Sequence, residues 1–261
     1  MYHFFIAPEQ LSEDSAVILG NDVRHIGAVL RMKPGEKIMV NAGGDWDYLC
    51  EIAEIGTEAV QLRILEGRQE TRELPVSITL YQGLPKGEKM ELIVQKAVEL
   101  GAARVVPVAM HRSVVRLDEK KAAAKQKRWQ AIAEAAAKQK RWQAIAEAAA
   151  KQAGRSLIPE VTLPLRFADA LAQVEQEATE LRLLPYERAE GIAETRALIR
   201  SAKPGQRIAV MIGPEGGFEE TEVAAAEERG FTAVTLGKRI LRTETAGLVV
   251  LSLLMAETEE D

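Results

Sequence analysis

The stretch that most restricts the fold is residues 207–251, RIAVMIGPEGGFEETEVAAAEERGFTAVTLGKRILRTETAGLVVL. It reads as two strand–loop–helix units in succession. Residues 207–212 are a short apolar run rich in β-branched side chains, which suits a buried parallel strand. Gly213-Pro214-Glu215-Gly216-Gly217 breaks it at the end where α/β sheets hold ligands. Residues 219–229 have helical composition and are closed by Gly230 as a C-cap. Residues 231–236 form a second strand, Gly237 opens a second loop, and Thr243-Glu244-Thr245 leads into an apolar helix over 246–255. Two glycine-broken loops this close in sequence predict one pocket at the strand ends of an α/β fold with a parallel sheet.

Upstream, residues 76–82 read as a strand, residues 90–100 as a helix with Met90, Ile93, Val94 and Ala97 on one face, and residues 104–110 as the next strand. This is the start of a βαβ series. The loop between them, GLPKGEK (83–89), lacks the Gly-Lys-Ser/Thr of a Walker A loop, and no Gly-x-Gly-x-x-Gly follows a strand, so nucleotide-triphosphate and dinucleotide folds have no support. Residues 1–72 differ in kind. Strand-like runs at 16–19, 37–41, 48–55 and 60–65 are separated by turn residues, with one short helix at 22–32 carrying Asp22 near its N-cap. The polar, proline-ended EGRQETRELP (66–75) marks the boundary, giving domains 1–72 and 73–261.

Net charge −5 at pH 7 argues against a nucleic-acid binder until it is divided along the chain. Residues 1–73 carry 7 basic and 13 acidic residues, residues 74–160 carry 16 and 8, and residues 161–261 carry 11 and 18. The middle third is net +8. Attraction to phosphate acts within about 10 Å, so a local basic face suffices. The single Cys50 excludes an internal disulfide, no apolar run approaches a membrane span, and the N-terminus has no secretory pattern, so a cytoplasmic protein is expected. His111 has no Cys or His neighbour at ligand spacing, and no metal is expected.

One feature is unusual. Residues 122–134 and 135–147 are the same 13 residues, AAAKQKRWQAIAE, and AAAKQ recurs at 148–152 before Ala153-Gly154-Arg155 ends the helix. Trp129, Ile132, Ala133 and Ala136 form one apolar stripe, and Trp142, Ile145, Ala146 and Ala149 form another. A 13-residue shift turns an α-helix by about 220°, so the stripes face different sides. One copy can pack, while the other extends the helix by about 20 Å or loops out. A tandem duplication tolerated without function accounts for this. An exposed Trp stripe making a new contact is the alternative.

The pair GPEGGF (213–218) and LGKRILRTETA (236–246) resembles the signature of the SPOUT methyltransferases, and more narrowly of the bacterial 16S ribosomal RNA uridine-N3 methyltransferases. HIGAVLRMKPGEKI (25–38) and KGEKMELIVQKAVELG (86–101) are similar to the same family, so the resemblance spans nearly the whole chain. It implies a small N-terminal PUA-like β-barrel that helps grip RNA and a C-terminal SPOUT domain with a trefoil knot holding S-adenosylmethionine. It also implies a homodimer acting on 16S ribosomal RNA or the small subunit, with no membrane partner. Carried onto this sequence, the cofactor residues are Gly213, Pro214, Glu215, Gly216 and Gly217 in the first loop, and Gly237, Ile240, Arg242, Thr243, Thr245 and Ala246 in the second. Leu184, Ile212, Leu236 and Leu241 would pack on the adenine, and the loop Pro185-Tyr186-Glu187 would add a third wall. Candidate RNA contacts are His25, Arg31, Lys86, Lys89, Arg112 and Arg155.

The chemistry sets further requirements. Uridine N3 bears a proton in the pairing edge, so an enzyme must expose the base and help remove that proton. Glu215 and Glu244 are the carboxylates available, and Arg242 could stabilise charge developing on the uracil oxygens. Helix capping also explains Glu244, Thr243 and Thr245, and loop structuring also explains Glu215. A non-catalytic RNA-binding assembly factor, or a SPOUT enzyme of different atom specificity, stays open.

Overall fold

A computed structural model describes residues 1–261 except Asp45, Glu70, Thr71, residues 114–123, Glu260 and Asp261, and describes no side chains for residues 124–133. The chain divides into two compact units, Met1–Glu73 with Ala150–Ile158, and Leu74–Ala149 with Pro159–Asp261. Residues 150–158, which the sequence assigns to the second domain, therefore group with the first. The reason is local. Arg155, only 4% exposed, donates to both carboxylate oxygens of Glu73, whose Oε1 also accepts the amides of Ser156 and Leu157 at 3.0 and 3.2 Å. Lys151 Nζ lies 2.8 Å from Asp22 Oδ2.

The first unit contains β1 (His3–Phe5), β2 (Ser15–Leu19), α1 (Asn21–Arg24), β3 (Lys37–Asn41), β4 (Trp46–Ile55) and β5 (Ala59–Gln69). The order β1-β3-β4-β5-β2 is a five-stranded sheet, antiparallel except for β1 beside β3. Alternating side chains set its inner face: Ala16, Ile18, Ile38, Val40, Cys50, Ile52, Val60 and Leu62 form one apolar cluster. Among the described residues β1 and β2 remain unpaired with one another, so the expected barrel is a curled half-barrel. The helix expected at 22–32 is shorter. α1 passes into a wide π turn, His25–Val29, and Arg31 then takes φ 55°, which ends helical progression.

The second unit contains β6 (Ser77–Gly83), α2 (Lys89–Glu99), β7 (Arg104–Ala109), α3 (Ala124–Ala153), β8 (Glu160–Val161), β9 (Leu165–Arg166), α4 (Phe167–Gln176), β10 (Leu181–Pro185), α5 (Ile192–Arg200), β11 (Arg207–Ile212), α6 (Glu220–Glu227), β12 (Thr232–Val234) and α7 (Thr243–Thr258). All its strand pairs are parallel, in the order β12-β10-β11-β6-β7-β8 with β9 also on β7. β11 is central, and its near-continuous burial from Ile208 to Ile212 reflects coverage on both faces.

α3 shows which repeat copy packs. Trp142 is 7% exposed and Ala146 and Ala149 are buried, so the second copy occupies the packing slot. Its glutamines fix the fit: Gln143 donates to Pro159 O at 3.1 Å and accepts from the Val161 amide at 2.8 Å, while Gln139 donates to Val161 O at 2.7 Å. Arg141 pairs with Glu91 at 2.8 Å. The stripe of Trp129, Ile132 and Ala133 lies outside the described side chains.

Candidate active site

Three loops leave the C-terminal ends of neighbouring strands β6, β11 and β10, and a fourth comes after β12. Their closeness dictates residue size. A Cβ on Gly83 at the end of β6 would meet Pro214 N at 2.6 Å, so only glycine lets the two backbones approach. A buried hydrogen-bond chain then fixes them. Gln82 Nε2 donates to Thr243 Oγ1 at 2.8 Å, and Thr243 Oγ1 donates to Gly213 O at 2.6 Å. The N-cap of α7 is Arg242, without a side-chain cap bond, so Thr243 does not cap the helix as expected. Its 5% exposed hydroxyl-bearing side chain instead ties α7 to the ends of β6 and β11.

These loops enclose a cleft of about 410 Å³. Of the residues carried over for cofactor binding, Ile212, Gly213, Pro214, Glu215, Gly216 and Gly217 line it from the β11 side. Leu236, Gly237, Ile240, Leu241, Arg242, Thr243 and Ala246 line it from the β12 side. Pro185, Tyr186 and Glu187 add a third wall. Two residues fall elsewhere. Leu184 is fully buried in the core with Met211 and Phe218, and Thr245 is exposed on α7 without lining the cleft. Phe218, Thr235, Lys238 and Arg239 also line it and were missed. The last two lie inside the LGKRILR motif between residues already singled out, which was the available signal.

The second loop is shaped for a ligand with polar edges. Gly237 has φ 110°, a region that disfavours side chains, and open space where a Cβ would point. Its amide donates to Thr235 Oγ1 at 3.2 Å. No other amide of residues 236–242 has an acceptor among the described residues. Backbone donors free beside Ile212, Leu236 and Leu241 suit a flat apolar ring with hydrogen-bonding edges.

Charge concentrates at one wall. Glu215 accepts the Lys86 amide at 3.0 Å, and Lys89 Nζ lies 3.1 Å from Glu215 Oε1 and 3.3 Å from Glu244 Oε2. Burial pushes the Glu215 carboxyl up, but the Lys86 amide and the Lys89 ammonium outweigh it and hold its pKa below the ordinary value. The hydrogen bond to Glu215, joined by Glu244, raises Lys89 above a free ammonium. Glu244 stands in the first turn of α7 and does not itself line the cleft.

The candidate RNA residues separate into groups. His25 and Arg31 are exposed in the first unit, and Lys86 is exposed beside the cleft loops. Arg112 is committed to Glu219 at 2.7 Å and Gly216 O at 2.9 Å, bracing the first glycine loop. Arg155 is buried against Glu73, so the geometry removes it from the set. Among the described residues no group of three or more His, Cys, Asp or Glu is placed to hold a metal, and no helix is long and apolar enough to cross a membrane.

Comparison with known sequences agrees with this site. The profile of an RNA methyltransferase domain matches residues 72–140 and 138–255, two segments that meet inside the second repeat copy, and the profile of an RNA methyltransferase PUA domain matches residues 18–65. The fold is thus that of the RNA methyltransferase class. The ribosomal RNA small subunit methyltransferase E of Bacillus subtilis is 35% identical over 99% of this chain and 96% of that protein. The crystal structure of the Neisseria gonorrhoeae ribosomal RNA small subunit methyltransferase E bound to S-adenosyl methionine matches with TM-score 0.81 and 32% identity, covering 98% of this chain and 97% of that one. A putative methyltransferase of Legionella pneumophila in complex with the same cofactor matches with TM-score 0.80 and 30% identity over 98% and 97%. The chain belongs to the ribosomal RNA small subunit methyltransferase E family.

Proposed function

We propose that this protein methylates N3 of a uridine in the 16S ribosomal RNA of the small subunit, using S-adenosylmethionine. The observation that carries the reading is the cleft built from both glycine loops and locked by the Gln82–Thr243–Gly213 chain. Its size falls in the range of small-molecule sites, roughly 300–1,000 Å³. The amides of 236 and 238–242, without an acceptor among the described residues, and the apolar Ile212, Leu236 and Leu241 fit an adenosine. When bound, the cofactor supplies a methyl group already activated on a sulfonium, so the protein's task is to bind, orient and manage one proton.

In this reading Gly213, Pro214, Gly216, Gly217, Gly237, Leu241 and Ala246 hold the cofactor, while Thr243 holds the loops. Glu215 and Arg242 are among the charged side chains of the cleft wall, and in this reading these two face the substrate base. Glu244 acts behind them. Domains 1–72 and 73–261 divide RNA grip from catalysis, with His25, Arg31 and Lys86 as exposed RNA contacts. The trefoil knot belongs to the proposal, supported by Thr243 being bonded to Gly213 across 30 residues. So does a homodimer: α7 is apolar on all sides, Leu253 is 40% exposed and Ile240 is 86% exposed. The setting is the cytoplasm, where small subunits mature.

The test incubates the protein and labelled S-adenosylmethionine with small subunits lacking the modification, then identifies the digested nucleosides by mass. A 3-methyluridine product is expected. Subunit binding without transfer would replace this reading with an assembly factor, and a methyl group on another atom would replace the specificity.

A further inference from the structure

We propose that Lys89 is the residue that selects uracil, its ammonium serving as a fixed hydrogen-bond donor beside the Glu215 carboxylate on the cleft wall. The inference rests on the methyltransferase reading above and gives a specific role to a lysine that the sequence offers only as a general RNA contact. The structure places it otherwise. Its side chain is 31% exposed, it lines the cleft, and it forms ion pairs with carboxylates of two elements, Glu215 after β11 at 3.1 Å and Glu244 on α7 at 3.3 Å. An ammonium on a four-carbon stem is ordinarily mobile, and two carboxylates remove that freedom. Glu215 is fixed in turn by the Lys86 amide.

The result is an acceptor and a donor side by side. The pairing edge of uracil is its complement: N3–H is a donor flanked by two carbonyl oxygens. Glu215 accepts N3–H while Lys89 donates to the adjacent oxygen. Cytosine presents a lone pair at N3 between a carbonyl and an amino group, so with Lys89 on the side of the 4-substituent it would set lone pair against carboxylate and amine against ammonium. Both juxtapositions are repulsive, and a site built to hydrogen-bond one edge rejects the other strongly. The same pair handles the proton. The N3–H bond breaks, the proton passes to Glu215, and the electron pair stays on the ring, delocalised onto the oxygen facing Lys89. Glu215 alone is a weak base, because its neighbours stabilise its ionised form. The ammonium offsets this by stabilising the uracil anion as it forms.

The experiment uses the full chain, small subunits lacking the modification, and matched subunits carrying cytidine at the methylated position. Lys89→Met should lower the methyl-transfer rate by about 100-fold or more, the usual loss for one transition-state donor. Cofactor affinity by calorimetry should stay within a few-fold. Cofactor-free Lys89→Met should also lose the preference for uridine over cytidine subunits in binding, which a purely structural lysine would not set. Lys89→Arg, which keeps a charged donor, should retain uridine preference and part of the rate. If wild type makes 3-methyluridine while Lys89→Met keeps both its rate and its preference, this inference alone falls. If Lys89→Met fails to fold, a Lys89→Arg variant that folds but has lost the uridine preference overturns it equally. If wild type transfers nothing, the methyltransferase reading falls and takes this one with it.

Discussion

The Thr243 hydroxyl is the most economical point at which to probe the cleft. Thr243→Val keeps the shape and removes the oxygen. Gly213 O then loses its donor in a buried hydrogen bond, which costs about 1–3 kcal/mol. Gln82 Nε2 loses one of two acceptors and keeps the other, Gly83 O at 3.0 Å, so its loss is about 0.5–1.5 kcal/mol. Together these give about 1.5–4.5 kcal/mol. For a domain of this size each kcal/mol lowers the melting midpoint by about 2–4 °C, so the transition of the second unit should fall by about 5–15 °C. Thr243→Ser keeps the oxygen and loses only a methyl, about 1 kcal/mol. Calorimetric melting of both variants, with S-adenosylmethionine titrations, reads the result. Thr243→Val should melt well below Thr243→Ser and bind cofactor more weakly. A Thr243→Val protein as stable as Thr243→Ser would refute the reasoning, since the hydroxyl would then not be holding the loops.

Other outcomes rest on the same geometry. Gly83→Ala forces a Cβ against the Pro214 backbone at 2.6 Å, which no rotamer can relieve; a loss of about 1–3 kcal/mol in urea unfolding and weakened cofactor binding are expected. The carboxyl of Glu215 is depressed on folding, so its stabilising share is present above the unfolded value and lost as pH falls through the folded one. Lys89 is raised, so its share is lost only as pH climbs through its folded value. Thermal stability of the cofactor-free protein measured across pH should therefore be flat through neutrality and decline at acid pH first. Burial pushes the Cys50 thiol up to about 11, so alkylation near pH 8 should be slow in the native protein and rapid after denaturation. Deleting 135–147 should shorten α3 by about 20 Å while stability and transfer persist, and circular dichroism with the transfer assay would expose a failure.

How much was visible in the sequence depends on the range of the interaction. β11 was readable because five consecutive apolar residues need cover on both faces, and the loops because their glycines stand between apolar runs. The lining of the cleft came from those same loops. What stayed hidden were contacts whose partners are distant in the chain. Thr243 meets Gln82 across 161 residues and Gly213 across 30, so local pattern suggested a helix cap. Arg155 looked like a free cation because Glu73, 82 residues away, gave no sign of being its partner. Lys89 was expected as an RNA contact, but nothing near it in sequence announces its two carboxylate partners on other elements. Leu184 lies in the core rather than on the cleft lining, and because Leu183 and Leu184 are both buried, the pattern along β10 could not have told this.

The repeat in α3 has a consequence for identity itself. Residues 122–139 and 135–152 are the same 18 residues, so the packing slot faces two indistinguishable ligands on one chain. Nothing inside the helix can tell them apart. The two windows differ only in what flanks them: Lys121 precedes the first and Glu134 the second, while Lys140 comes after the first and Ala153-Gly154-Arg155 directly after the second. Seating the first window would force 140–152 out of the helix before Ala153 could be reached. The register is thus read from the C-terminal side, by an arginine clasped to Glu73, and the surplus turns are pushed to the N-terminal end. For the same reason, excising either copy yields one and the same polypeptide, and no deletion can ask which of the two was the original.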